Sequence, residues 1–373
     1  MSGPGFHLAL GLDGVGWHPG AAALLPQDAA RTARASYWSP LVRRAEAAGI
    51  DLVTWEDSFR PSRGTYGVPD AVLLASALAP VTEHIGLVPT VVVTSTEPFH
   101  VAKAVATLDH VSLGRAGVRI KVDAQHRGPR FDGSRDVFAD ATDVVEVLGR
   151  LWDSWEDDAE IRDVATGRFV DRDRLHHVDF VGEGFSVKGP LITPRPPQGR
   201  PPVVVLAHDE RAFALAATSA DVVLVTPGGP FPGDDVPGAL ARVRAASVAA
   251  GRTGAPLRVL GEVAFVLGRT TADAHDRAAR LEEAAGRPWR SDAHLHVGTA
   301  PELADLVTSW ADAGLDGVRF RPATHTDDVR RLLDETLPLL AARGSTAHAP
   351  DRTTLRDRLG LERPVSRYAE EAP

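Results

Sequence analysis

HIGLVPTVVVTSTEPFHVAKAVATLDHVSLGRAGVRIKV, residues 84–122, is the stretch on which the fold turns. It opens with a β-rich run, HIGLVPTVVV (84–93), and passes through a polar break into a segment of helical period, FHVAKAVATLDHVS (99–112). It closes on a second β-rich run, GVRIKV (117–122). Strand, helix and strand in that order predict one unit of an α/β fold, and the same alternation continues outward on both sides. Toward the N-terminus lie FHLALGL (6–12) and DLVTW (51–55). Toward the C-terminus lie PVVVLA (202–207), DVVLVT (221–226), LRVLGEVAFVL (257–267) and GVRF (317–320). Each is followed by a helical pattern, such as WSPLVRRAEAAG (38–49), DAVLLASALAPVT (70–82) or TDDVRRLLDETLPLLAARG (326–344). Within the first of these, Ser39 reads as an N-cap, Pro40 as the first helical residue and Gly49 as the C-terminal stop. Eight such units predict a (β/α)8 TIM barrel, with its site at the C-terminal ends of the strands. The rival is a doubly wound open sheet, but no GxGxxG follows the first strand to support its dinucleotide-binding form.

The expected organisation is a single barrel domain over residues 1–344, with insertions at about 13–36, 123–200 and 286–299. A polar tail, 345–373, is expected to pack on the barrel. The 373 residues suit such a barrel, and a hydrophobic content of 43% against 24% charged is enough to bury a sizeable core. A formal net charge of -9, with the 41 Lys and Arg scattered, argues against nucleic acid or an anionic membrane as the main partner. The absence of cysteine excludes disulfides, thiolate metal sites and a cysteine nucleophile. The start, MSGPGFHLALG, lacks the basic region of a signal peptide, and no apolar run approaches 18 residues. A soluble, cytoplasmic protein is expected.

Around the opening stretch the sequence also resembles a known family. TEPFHVAKAVATLDHVSLGRAG (96–117) carries Ala106, Thr107, Leu108, Asp109, Ser112, Gly114 and Arg115 in the pattern of the bacterial luciferase-like, flavin-dependent monooxygenases. The likeness continues, in order, through LWDSW (151–155), KGPLITPRPPQGRP (188–201), ATSADVVLVTP (217–227), GTAPELADLVTSWADAGLDGVRF (298–320) and TTLRDRLGLERP (353–364). The branch it is most similar to holds nitrilotriacetate and dibenzothiophene sulfone monooxygenases. The resemblance implies reduced FMN supplied by a separate flavin reductase, O2 as co-substrate and a small organic substrate, with the cofactor carrying the hard chemistry. It implies that Asp57 in WEDSF and Thr94 at the end of VVVT contact the flavin. Trp17 and His18, in GVGWHPG (14–20), would then wall the substrate chamber, with His18 as its polar contact. A homodimer or higher homo-oligomer is also implied, with Val72, Leu73, Leu74 and Leu78 of helix 70–82 suited to the interface. Asp109 and Arg115 are expected to be structural, as a pair or as a cap.

Three departures from the family pattern stand out. On the fourth strand, alternation puts Val118, Ile120 and Val122 on one face and Arg119, Lys121 and Asp123 on the other, so the charged set should point into the barrel mouth. Cations buried there must meet a counter-charge such as Asp123, Asp57 or Glu56, or water, or an anionic ligand. Arg119 and Lys121 are therefore the cofactor-facing candidates of that strand, and the resemblance adds Val122, in the stretch where relatives contact FMN. After the fifth strand, where the family holds the FMN phosphate on a helix N-terminus, the turn reads Ala207, His208, Asp209, Glu210, Arg211. Two carboxylates there cap a helix well and repel a phosphate, leaving His208 and Arg211 as donors. Phe138 stands where the family has a tyrosine. The piece after the seventh strand is also short for this branch. Arg319 and Arg321 alternate on the eighth strand, with Arg321 a candidate for substrate and Asp316 and loop carboxylates as alternative partners. Two other readings stay open: an oxidoreductase using the deazaflavin coenzyme F420, whose acidic tail would meet Arg119, Lys121 or Arg321, and a non-catalytic barrel that has lost flavin binding. A metal site is not expected, because the HxH of His294 and His296 and the adjacent His176 and His177 lack a partner set. No GxSxG turn supports a serine nucleophile.

Overall fold

The computed structural model describes residues 5–59, 67–125, 136–230, 235–344 and 354–369. Eight parallel strands form its centre: β1 (His7–Leu12), β2 (Leu52–Trp55), β3 (Gly86–Val92), β4 (Val118–Lys121), β5 (Val203–Leu206), β6 (Val222–Val225), β7 (Arg258–Gly268) and β8 (Gly317–Pro322). They run in the order 6-5-4-3-2-1-8-7, and β6 pairs with β7, so the sheet closes into the predicted barrel. Helices α1 (Ala35–Ala47), α2 (Ala71–Leu78), α3 (Pro98–Val111), α4 (Val137–Asp153), α5 (Glu210–Ser219) and α6 (Val236–Ala249) follow the first six strands. Two helices, α7 (Thr271–Ala285) and α8 (Ala300–Asp312), follow β7, and after β8 comes Asp327–Arg331, which continues through a π turn into Leu337–Ala342. Among the described residues no helix is long and apolar enough to cross a membrane.

The alternation of each strand sorts the interior into layers. Ala9, Leu52, Val88, Val204, Val222, Leu224 and Leu260 form an apolar floor, and Leu355, Leu359 and Leu361 of the tail pack into it. The tail therefore does more than pack on the outside: its leucines plug the N-terminal end of the barrel. Above the floor the inward positions turn polar, with Thr54, Thr90, Arg119, Glu262 and Arg319 all buried. The opposite faces of the strands meet the helices in one large apolar cluster.

The predicted insertions have structure of their own. Residues after β1 form two short turns, Ala21–Leu24 and Pro26–Ala29. The segment after α4 folds into two hairpins, Glu160–Asp163 with Arg168–Val170 and Phe180–Val181 with Ser186–Val187. The piece 286–299 ends in a strand, His294–Thr299, that pairs with the overlong β7 outside the barrel. One boundary differs from the sequence expectation: α1 starts at Ala35 behind Arg34, so Pro40 lies inside the helix and Ser39 is no cap. The extra turn is held by its aromatics, since buried Trp38 donates from Nε1 to the Thr32 carbonyl (2.7 Å). Gly49, at φ 86°, does end that helix. Asp109 and Arg115 are structural but do not pair. Arg115 donates to the carbonyls of Ser112, Ile85, Ala79 and Thr82, while Asp109 holds Gln198 and the Ala116 amide.

Candidate functional site

The C-terminal ends of the strands hold a network of charges around the barrel axis. Glu56, just past β2, accepts from Arg119 Nη1 (2.7 Å) and from Arg319 Nη2 (2.9 Å) on the same oxygen. Arg319 also pairs with Glu262 of β7 and donates from Nε to Thr54 Oγ1 (2.9 Å). The second oxygen of Glu262 accepts from Arg321 (2.9 Å), which reaches on to Asp292 (2.8 Å). Arg119 is further fixed by Thr90 Oγ1 (3.0 Å). The register makes this possible. Arg319 lies beside Glu262 across the β7–β8 ladder, and Arg119 beside Thr90 across β3–β4. Gly11 on β1 leaves the space the Arg319 guanidinium fills, since a Cβ there would sit 3.0 Å from its Cζ.

Charges so buried require one another. Burial alone would raise the Glu56 pKa, but Arg119, Arg319, Lys121 and Arg321 hold it well below the ordinary carboxylate value. Asp13, at the end of β1, has a different balance: burial and then the nearby Glu56 push its pKa up to about 6 against the pull of the cations. Its carboxyl makes no side-chain hydrogen bond among the described residues, and it lines a crevice with Leu12, Trp38, Trp55, Glu56, Pro69 and Leu74.

Trp17 covers this network. Its ring lies over the guanidinium of Arg321 (3.9 Å) and, farther off, that of Arg319 (5.2 Å), while its Nε1 donates to the Gly11 carbonyl (2.8 Å). Lys121 is the more exposed cation, 32% accessible, with Nζ donating to the Asp57 carbonyl (2.7 Å) and 3.9 Å from Glu56. The mouth is thus a network of paired cations and carboxylates beneath an indole.

Alternation thus carries Arg119 and Lys121 inward as expected, and Glu56 supplies their counter-charge. Other candidates lie elsewhere. His18 is buried against Trp289 (4.8 Å between rings), with Nδ1 accepting from the Gly20 amide, and burial lowers its pKa to about 4. It therefore packs on the Trp289 side, in the cluster that Trp17 also borders, with Nε2 buried. The Asp57 carboxylate accepts from the Ser58 and Ala71 amides and so fixes the start of α2. Thr94 is fully buried and its Oγ1 accepts from the Asp123 amide (3.3 Å). Val122 packs at the edge of the apolar cluster. Asp209 caps α5 by accepting from Ala212 N (2.9 Å), with His208 4.0 Å from it. Arg211 pairs with Asp136 and lies over the ring of Phe138 (4.6 Å). His294 and His296 sit on the extra strand, and no group of three or more potential metal ligands occurs among the described residues. Of the interface residues named on α2, Leu74 and Leu78 turn into the core and Leu73 faces outward.

Asp13, Glu262 and Asp292 were not anticipated. A signal existed for Glu262, the lone charge inside the apolar run VLGEVAFVL (259–267) at a position whose neighbours alternate outward.

Comparison with known proteins agrees with this layout. The sequence profile described as luciferase-like monooxygenase matches residues 17–318. N-acetyl-S-(2-succino)cysteine monooxygenase of Bacillus subtilis (strain 168) is 30% identical over 99% of this chain and 97% of that protein. Nitrilotriacetate monooxygenase component A of Aminobacter aminovorans is 28% identical over 90% of this chain and 91% of its own. EDTA monooxygenase from Chelativorans sp. BNC1 superposes with a TM-score of 0.82 at 22% identity, covering 96% of this chain and 99% of that one. A barrel of this topology, matched along its length by sequence and by shape, belongs to the luciferase-like monooxygenase family of oxidoreductases.

Proposed function

We propose that the chain is the oxygenating component of a two-component monooxygenase. A separate reductase supplies reduced FMN. One atom of O2 enters a small organic substrate and the other leaves as water, while the flavin returns oxidised. The observation that carries this reading is the indole-covered mouth of buried charged side chains at the end of the barrel where TIM-barrel chemistry takes place, in a chain of this family.

The residues present fit the ring of a reduced flavin. Lys121, the partly exposed cation, supplies positive charge toward its anionic form, and Trp17, which lies on Arg321, offers its other face. Asp13, with a pKa near 6, can hold or release a proton at the mouth near neutrality. Leu12, Trp38, Trp55 and Leu74 give the adjoining crevice apolar walls that exclude water from an apolar substrate group. When bound, the flavin supplies the activation of O2; the chain binds, orients and shields. Asp57 and Thr94 contribute by fixing the loops that border the mouth. Among the described residues the α5 turn offers the phosphate no comparable seat, because it is occupied by its own carboxylates. The deazaflavin coenzyme F420, with its longer acidic tail, fits less well for the same reason.

Supplied with a flavin reductase, NADH, FMN and labelled O2, the chain should put one labelled oxygen into a substrate found by screening sulfur- and amine-bearing carboxylates. One observation favours a second reading, a silent barrel: the Arg119–Glu56–Arg319 pairing fills the axis without any ligand. Failure to bind reduced FMN or reduced riboflavin at any concentration up to millimolar would select it.

A further inference from the structure

The helices that begin at the mouth share a feature that the network at the axis does not explain. A helix N-terminus carries partial positive charge and free amides, and is the ordinary seat of a phosphate in an α/β fold. Here those ends carry acids. Asp70 caps α2 by accepting from Leu73 N (2.8 Å), and Glu97 stands at the N-cap of α3. Asp136 caps α4 through Phe138 N (2.8 Å), and Asp235 caps α6 through Gly238 N (2.8 Å). Asp273 lies in the first turn of α7, and Asp327 and Asp328 in that of the helix after β8. The acid is doubled at α5, where Asp209 takes the Ala212 amide and Glu210 follows in the first turn. The neighbouring cation gives no relief, since Arg211 is held by Asp136 above the Phe138 ring. Among the described residues only α1 of the helices that follow barrel strands starts without a carboxylate, behind Arg34.

The cations lie elsewhere, on the inward faces of β4 and β8 beneath Trp17. Among the described residues, the cations of the axis are matched there by Glu56, Glu262 and Asp292, with Lys121 partly exposed, and the helix starts at the rim carry acids. We propose that this barrel grips a flavin by its ring and not by its phosphate, and so does not distinguish riboflavin from FMN. The inference rests on the flavin reading above and deepens it by naming the part of the cofactor that is recognised. A phosphate dianion brought to α5 would meet Asp209 and Glu210 within one turn of chain, beside an Arg211 already paired with Asp136, and like charges at that range oppose binding.

The test is an anaerobic fluorescence titration of the full chain with photoreduced FMN and photoreduced riboflavin, side by side at pH 7.5 and fixed ionic strength. The expected result is two dissociation constants within about threefold of each other. An FMN preference of tenfold or more overturns the proposal. The paired substitution Asp209→Ser with Glu210→Gln keeps a capping oxygen while removing both charges. It should tighten FMN at least threefold and leave riboflavin unchanged; no gain for FMN overturns the assignment to this turn. Equal binding of both flavins without oxygen transfer to any substrate would leave this proposal standing and count against the monooxygenase. Binding of neither would overturn both.

Discussion

Glu56 is where sequence reasoning and energetics meet at the scale of a single residue. One of its oxygens serves two guanidiniums, and the residue is mostly buried, so its charge is balanced chiefly by Arg119 and Arg319, with Lys121 and Arg321 farther off. Glu56→Gln keeps the shape and one acceptor but leaves buried Arg119 without a carboxylate and Arg319 with Glu262 alone. The expected cost is about 3–5 kcal/mol of folding stability, read from urea denaturation at pH 7. Because its folded pKa is depressed, the stability Glu56 provides is present above the ordinary carboxylate range and is lost as pH falls below it. The gap between wild type and variant should therefore close at acid pH. Period-two alternation on GVRIKV was enough to send Arg119 and Lys121 inward and to raise Glu56 as a partner. It could not supply Asp13 or Asp292, which lie at the end of a strand and in a loop, where no period constrains direction. His18 meets a related limit. Adjacent to Trp17 in sequence, it follows a chain that turns at Gly16, whose φ of 145° and near contact with the Ala323 carbonyl leave no room for a Cβ.

Among the elements, the tail shows most plainly what sequence periodicity can and cannot carry. TTLRDRLGLERP reads as a short polar segment, yet its three leucines complete the barrel floor. Thr354 and Asp357 form a capping box that holds the Leu355–Arg358 turn. Arg356 then ties it to Asp221, whose other contact is the first amide of β5. Leu355→Ala should cost about 2–5 kcal/mol, because the strands around the vacated space are held by their ladders and cannot close in. Gly86→Ala should also destabilise, since its Cβ would fall 2.6 Å from Leu355 Cδ1. Thermal or urea unfolding of the two variants checks this, and a surface role for the tail would leave both within about 0.5 kcal/mol of wild type. The barrel strands, by contrast, were legible throughout, because each is a short apolar run bounded by turn residues. Helix starts were less so. Ser39-Pro40 has the chemistry of a cap, but the helix starts about a turn earlier, at Ala35, and buries Trp38 within it.

Across the whole molecule the buried titratable groups pull stability in opposite directions, and the balance can be measured. Burial holds His18 and His325 neutral, with pKa values lowered to about 4 and about 3. Below pH 6.5 the unfolded chain takes up protons that the native histidines refuse, so both contribute a loss of stability as pH falls. Asp13 and Asp109 work the other way. Burial raises each to about 6, so between pH 6 and 4 the native state holds protons that the unfolded state has released, and stability gains as pH falls. At pH 5 the two histidines together cost about 4 kcal/mol relative to pH 7, and the two aspartates return somewhat less. The expected profile is therefore shallow, within about 2 kcal/mol from pH 7 to pH 5, before depressed carboxylates such as Glu56 are protonated and stability falls steeply. Substitution exposes the opposing parts. His18→Gln, which keeps an acceptor for the Gly20 amide, should remove about 2 kcal/mol of the acid loss and turn the profile level or upward. Asp13→Asn should deepen the loss at pH 5 relative to pH 7 while raising stability at pH 7 itself, where the native carboxylate is charged at a cost. Urea denaturation at half-unit steps from pH 4 to 7 gives all three curves, and parallel curves for wild type and His18→Gln would mean that His18 is protonated alike in the folded and unfolded chain.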